Sequence, residues 1–138
     1  MLSTSTEIRV RYEETDQMGV VYHAKYFNWF EVARIQLLDE IGIPYKELEK
    51  EGYFLPVLSC SAIFKHPAQF DDRLIIKLEI SLASLLRLKA AYKVLRKDLI
   101  IATGTTEHAF ISKDGKVIRP PASFIEFLER TDTFKKYG

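Results

Sequence analysis

The sequence predicts a two-layer α+β domain, with one long helix lying on a curved antiparallel sheet. Three observations carry that expectation. One segment repeats its apolar residues at helical spacing, four later segments alternate at period two, and the links between those four are short. Short links make antiparallel neighbours. A long apolar helix must bury its face, and the sheet is the partner on offer.

Taken in order, residues 7–13 set Ile8, Val10 and Tyr12 against Arg9, Arg11 and Glu13, the pattern of a half-buried strand. The segment "YFNWFEVARIQLLDEIG" then places Phe27, Phe30, Ala33, Leu37, Leu38 and Ile41 on one face. Asn28, Glu31, Gln36 and Asp39 lie away from that stripe, and Gly42 is suited to end the helix. Pro44 opens a short second helix, "PYKELEKE", stopped by Gly52. "FLPVLSCSAIFKHP" reads as a strand that is irregular around Pro56. "RLIIKLEISLA", "RLKAAYKVLRK" and "LIIATGTTEHAFISK" supply three more, with turns at Lys97-Asp98 and Asp114-Gly115. Ser123 and Glu126 have capping-box spacing ahead of a final helix, "FIEFLER".

The 138 residues fit one domain, 1–138, and need no staples to build a core. A net charge of +1 gives no overall field for nucleic acid or an anionic membrane. Cys60 is the single cysteine, which excludes an intrachain disulfide and suits a reducing compartment. The opening "MLSTSTEI" has neither a basic nor an apolar leader region, and no run reaches the ~18 apolar residues of a membrane span. The expectation is a cytoplasmic protein without a transmembrane segment.

One stretch fits neither periodicity: "ETDQMGVVYH", residues 14–23. It feeds the start of the long helix. The first backbone N–H groups of a helix have no partner within it, and the helix dipole adds positive charge there. Such an end polarises a carbonyl or holds an oxyanion. Gly19 permits a turn and close approach of a ligand. Asp16 is then a candidate base or nucleophile, and His23 a candidate partner for a carbonyl or water. An acid beside such a helix end is what hydrolysis of an activated acyl group requires. The same residues also fit plain turn chemistry, with Asp16 in an Asx-turn and His23 as a helix cap.

The run "RVRYEETDQMGVVYHAKYFNWFEVAR", residues 9–34, resembles the signature of the 4-hydroxybenzoyl-CoA thioesterase family of hotdog-fold enzymes, and within it the YbgC-type acyl-CoA thioesterases. The resemblance implies a hotdog fold, a curved sheet wrapped around one central helix. It implies acyl-CoA thioester hydrolysis, with Asp16 as the acid and the backbone N–H groups of His23 and Ala24 polarising the carbonyl. Gly19, Tyr22, Tyr26 and Glu31 would support the site, Glu31 being the reserve carboxylate. Glu14 stands where relatives often carry Asp, and Met18 where they often carry a small residue. The resemblance further implies a homo-oligomer, dimer or tetramer, with sites at subunit interfaces. The substrate is acyl-CoA or an acyl-carrier-protein thioester, and no cofactor or metal is called for. The competing readings are a hotdog hydratase or dehydratase and a non-catalytic thioester-binding or interaction module.

Other residues are weighed on chemistry. Glu31 and Arg34 are three apart on the helix, which favours an ion pair. Tyr22, Tyr26, Phe27, Trp29 and Phe30 cluster as core, interface or acyl-pocket residues. Lys65, Arg87, Lys89, Lys116 and Arg119 are candidates to hold the phosphates of coenzyme A. His66 and His108 lack metal-ligand spacing, and Cys60 reads as a small buried residue.

Overall fold

Five strands form one antiparallel sheet in the order β1-β3-β4-β5-β2, with the long helix α1 against it. The elements are β1 (Leu2–Arg9), α1 (Lys25–Glu40), α2 (Tyr45–Lys50), β2 (Val57–Phe64), β3 (Arg73–Leu82), β4 (Leu88–Arg96), β5 (Leu99–His108) and α3 (Ala122–Tyr137). The computed structural model describes residues 1–137, with side chains through Arg130.

The first strand corrects the sequence reading. β1 starts at Leu2 and leaves the sheet after Arg9, paired with β3 from Leu2↔Ile80 to Arg9↔Arg73. The alternating serines and threonines of "LSTSTE" disguised its first half. Tyr12–Glu14 form a 3-10 turn rather than strand, and Tyr12 is exposed. Glu14 is the cause. Its buried carboxylate accepts from the Arg11 backbone N–H at 2.8 Å and from the Trp29 indole N–H at 2.8 Å, drawing the chain off the sheet toward α1.

α1 buries Tyr26, Trp29, Phe30, Ala33, Leu37 and Leu38. Phe27 and Ile41, expected in the stripe, are only partly buried against the core. Tyr26 and Trp29 enter it because the loop from 14 to 22 folds over the start of the helix. At the other end Gly42 donates to Asp39 and Ile43 to Leu38, the paired bonds of a Schellman stop. The helix sits close on the sheet at Gly104. A Cβ there would lie 2.5 Å from Cε2 of Phe30, whose ring stacks on Tyr92 with centroids 4.0 Å apart.

β3 and β4 alternate cleanly between exposed and buried residues. β2 does not: all its residues but one are exposed, Cys60 included, against the expectation of a buried thiol. It is the sheet edge opposite β1, and Val57, Leu58, Ile63 and Phe64 lie open there. The capping box at Ser123 and Glu126 does not form. The helix starts earlier, at Ala122, with the N–H groups of Phe124 and Ile125 donating to the Pro121 carbonyl. Pro120-Pro121 stiffens that start and leaves Ser123 inside the helix. Among the described residues no helix is long and apolar enough to cross a membrane.

Candidate active site

The loop that feeds α1 is built on Asp16. Its backbone N–H donates to the Val20 carbonyl at 2.9 Å, and its carbonyl accepts from the Gly19 N–H at 2.9 Å. Gly19 adopts φ +80°, a conformation that costs other residues. Oδ1 of Asp16 accepts the Met18 N–H at 2.9 Å, so the Asx-turn is real. It orients the carboxylate rather than consuming it, because Oδ2 has no hydrogen-bond partner among the described residues.

Two contacts close the loop. The Tyr22 N–H donates to the Glu14 carbonyl at 2.9 Å and the Val21 N–H to the Ala68 carbonyl at 2.8 Å. The helix entry is then a tight turn: Lys25, Tyr26 and Phe27 donate back to Tyr22, His23 and Ala24. This accounts for every backbone donor from Val21 to Phe27 except those of His23 and Ala24, which have no acceptor among the described residues. Ala24 is already helical, at φ −64° and ψ −23°. The two free donors therefore stand at the positive end of α1.

The opposite wall is the segment leaving β2. Lys65 and His66 both donate backbone N–H groups to the Ile101 carbonyl, at 2.8 and 3.1 Å. Nη1 of Arg96 ties the segment down, reaching the Pro67 carbonyl at 2.9 Å and Oδ2 of Asp72 at 3.0 Å. Between the walls lies a cleft of about 330 Å³, where Asp16, Met18, His23, Tyr26, Phe64, Lys65 and His66 meet. The His23 ring lies against Tyr22 at 4.4 Å and faces Phe64 edge-on at 6.3 Å. Burial pushes the Tyr26 phenol above its ordinary pKa, with Arg96 opposing, so it stays protonated.

The structure thus brings Asp16, His23, Tyr26 and Lys65 to one cleft, and Gly19 shapes its loop. Tyr22 flanks it. Glu31 does not reach it within one chain; it lines a separate groove with Arg34. The expected Glu31–Arg34 ion pair is absent among the described residues, because Nη1 of Arg34 turns inward to Oη of Tyr92 at 3.0 Å. Among the other phosphate candidates, Arg87 pairs with Glu107 at 3.4 Å and Arg119 lines a cleft with Leu85. Lys89 pairs with Glu107 in the β4–β5 register, and Lys116 lies in the turn after β5. None of these four lines the Asp16 cleft. Sequence reasoning missed Phe64, His66 and Pro67 as cleft residues. Only knowledge of the sheet order, which sets the end of β2 beside α1, reveals them.

Comparison with known proteins agrees with this fold. A signature of the thioesterase-like superfamily matches residues 10–129. A putative esterase of Aquifex aeolicus is 31% identical over 121 residues, covering 88% of this chain and 94% of that protein. The acyl-CoA thioesterase YbgC of Haemophilus influenzae is 32% identical over 108 residues, covering 78% and 79%. Among solved structures, the DHNA-CoA thioesterase of Staphylococcus aureus superposes with a TM-score of 0.86 at 33% identity, covering 99% and 93%. The chain belongs to the thioesterase-like superfamily and is a hotdog-fold thioester hydrolase.

Proposed function

We propose that this chain is a single-domain acyl-CoA thioesterase in which Asp16 is the catalytic acid. One observation carries the reading: Asp16, with a free carboxylate oxygen, shares a cleft with His23, whose unpartnered backbone N–H and that of the adjoining Ala24 stand at the start of α1. The thioester carbonyl oxygen sits against the N–H groups of His23 and Ala24. These hold the oxyanion as it develops.

Two balanced routes fit Asp16. In one it takes a proton from water, and the water oxygen attacks the carbonyl carbon. In the other its carboxylate attacks directly, forming a mixed anhydride that water then hydrolyses. Both break the carbon–sulfur bond and release coenzyme A thiolate, which takes up a proton. A thiol of pKa about 8.5 leaves readily, so no strong general acid is required. The chemistry needs no cofactor or metal.

Lys65, on the cleft rim, is the candidate phosphate contact that this geometry supports best. The open β2 edge supports a homo-oligomer, a dimer or an assembly of dimers. Thiol release from a panel of short, medium, long and aromatic acyl-CoAs tests the reading. Turnover with release of free thiol is expected. Hydration or dehydration without thiol release would mark a hydratase-type enzyme, and binding without turnover a carrier module. Acyl-carrier-protein thioesters form a separate arm.

A further inference from the structure

A polar chain crosses the core and takes no part in the chemistry above. Burial and the nearby Arg34 guanidinium lower the pKa of His108 to about 4, so the ring is neutral near pH 7. Its Nδ1 lies 3.0 Å from the Pro56 carbonyl oxygen, which can only accept, so Nδ1 carries the proton. Nε2 must then accept, and Oγ1 of Thr106 donates to it at 2.7 Å. Oη of Tyr92 donates to Thr106 at 2.7 Å and accepts from Nη1 of Arg34 at 3.0 Å. Every proton has one place, and the chain fixes Arg34 from behind.

The guanidinium it fixes is half-buried and has no carboxylate within ion-pair distance among the described residues. One of its N–H donors serves Tyr92. The others have no acceptor among the described residues, and Arg34 lines a groove of about 460 Å³ with the acids Glu31 and Glu49 and with Tyr45, Leu55, Pro56 and Val57.

The open edge decides what that groove faces. The strand Val57–Phe64, "VLSCSAIF", has no charged residue, so pairing of two copies there about a two-fold axis would oppose no like charges. Residues that face each other in an antiparallel pair must point to the same side of the sheet. Their numbers therefore sum to an even value, and one residue lies on the axis. The small residues Ser59, Cys60 and Ser61 occupy the middle of the strand. With the axis there, the Phe64 end of one copy lies beside the Val57 end of the other, and both helices lie on the same side. Phe64 lines the Asp16 cleft and Val57 the Arg34 groove. Each cleft then opens toward the groove of the second copy.

We propose that Arg34 from a second copy reads the far end of the acyl group held in the Asp16 cleft, selecting acyl groups that carry a hydrogen-bond acceptor there. This rests on the thioesterase reading. The unused donors suit an acceptor oxygen, the carboxylates of Glu31 and Glu49 in the same groove favour a neutral hydroxyl over a carboxylate there, and the apolar walls of Leu55 and Val57 suit the carbon chain that leads to it.

The test compares kcat/KM for ω-hydroxyacyl- and ω-carboxyacyl-CoAs with that for plain acyl-CoAs of equal length. Wild type should favour at least one acceptor-bearing series by roughly tenfold or more, the worth of one charge-assisted hydrogen bond. Arg34→Met should bring the ratio close to one. Should that variant not fold, Arg34→Lys keeps a donor for Tyr92 and should lower the ratio in part. Hybrids of Asp16→Asn and Arg34→Met chains, isolated with two different tags, locate the residue. A shared site leaves one wild-type combination per hybrid dimer, and the wild-type ratio returns. If Arg34 acts within its own chain, the hybrid keeps the Arg34→Met ratio. That outcome, an unchanged ratio in Arg34→Met, or no preference in wild type overturns the proposal while leaving thiol release intact. Failure of thiol release with every acyl-CoA overturns the thioesterase reading itself.

Discussion

Glu14 and Asp16 are two residues apart and do different work. Asp16 keeps one oxygen free in the cleft, whereas both oxygens of Glu14 are occupied behind it. Glu14 therefore ties down the loop that carries Asp16. Glu14→Gln sets an amide NH2 against an N–H donor from either Arg11 or Trp29. A buried donor left unsatisfied costs about 1–3 kcal/mol. The expected result is a lower urea midpoint with an unchanged m-value, and a lower kcat from a loosened loop. An unaltered midpoint would show that the Trp29 bond carries no weight. That Asp16 and His23 meet at the start of α1 was legible in the sequence because a local motif holds them. The role of Glu14 was not, since it depends on Trp29, fifteen residues later in the chain and reached only by folding.

Helix α1 and strand β5 meet where Gly104 leaves room for the Phe30 ring. Gly104→Ala forces that ring off Tyr92, and overpacking of this kind costs typically about 1–3 kcal/mol. Thermal unfolding should show a clear fall in Tm, larger than for alanine at an exposed β5 position. β5 also carries His108, whose pKa falls to about 4 in the fold from an ordinary 6.5. Between those values the unfolded chain binds more protons than the folded one, so stability rises with pH. The contribution is complete above pH 6.5 and is lost as pH falls toward 4, amounting to roughly 3 kcal/mol. His108→Gln should flatten the pH dependence of unfolding in that window; an unchanged slope would contradict the buried neutral ring. The elements that sequence revealed best, β3 and β4, are buried on one face and open on the other, which is what period two reports. The first half of β1 is built of serine and threonine, and β2 is exposed on both faces, so neither prints that contrast fully.

At the scale of the molecule, α1 shields one face of the sheet while the β2 edge is left open. An uncharged, partly apolar edge invites a strand. Ser61→Lys places like charges near a two-fold axis through the middle of β2. Sedimentation equilibrium should then show a smaller assembly than wild type, with turnover impaired where the site is shared. A fully active variant of unchanged mass would place the interface elsewhere. The central claim is that the assembled enzyme hydrolyses acyl-CoA through Asp16, and thiol release by Asp16→Asn tests it most directly. Asn retains an oxygen for the Met18 N–H, so the loop and fold persist while the base or nucleophile is lost. The expected result is native unfolding behaviour with kcat reduced by about 10²–10⁴-fold. Turnover near that of wild type, in Asp16→Asn or in Asp16→Ala, would contradict the assignment.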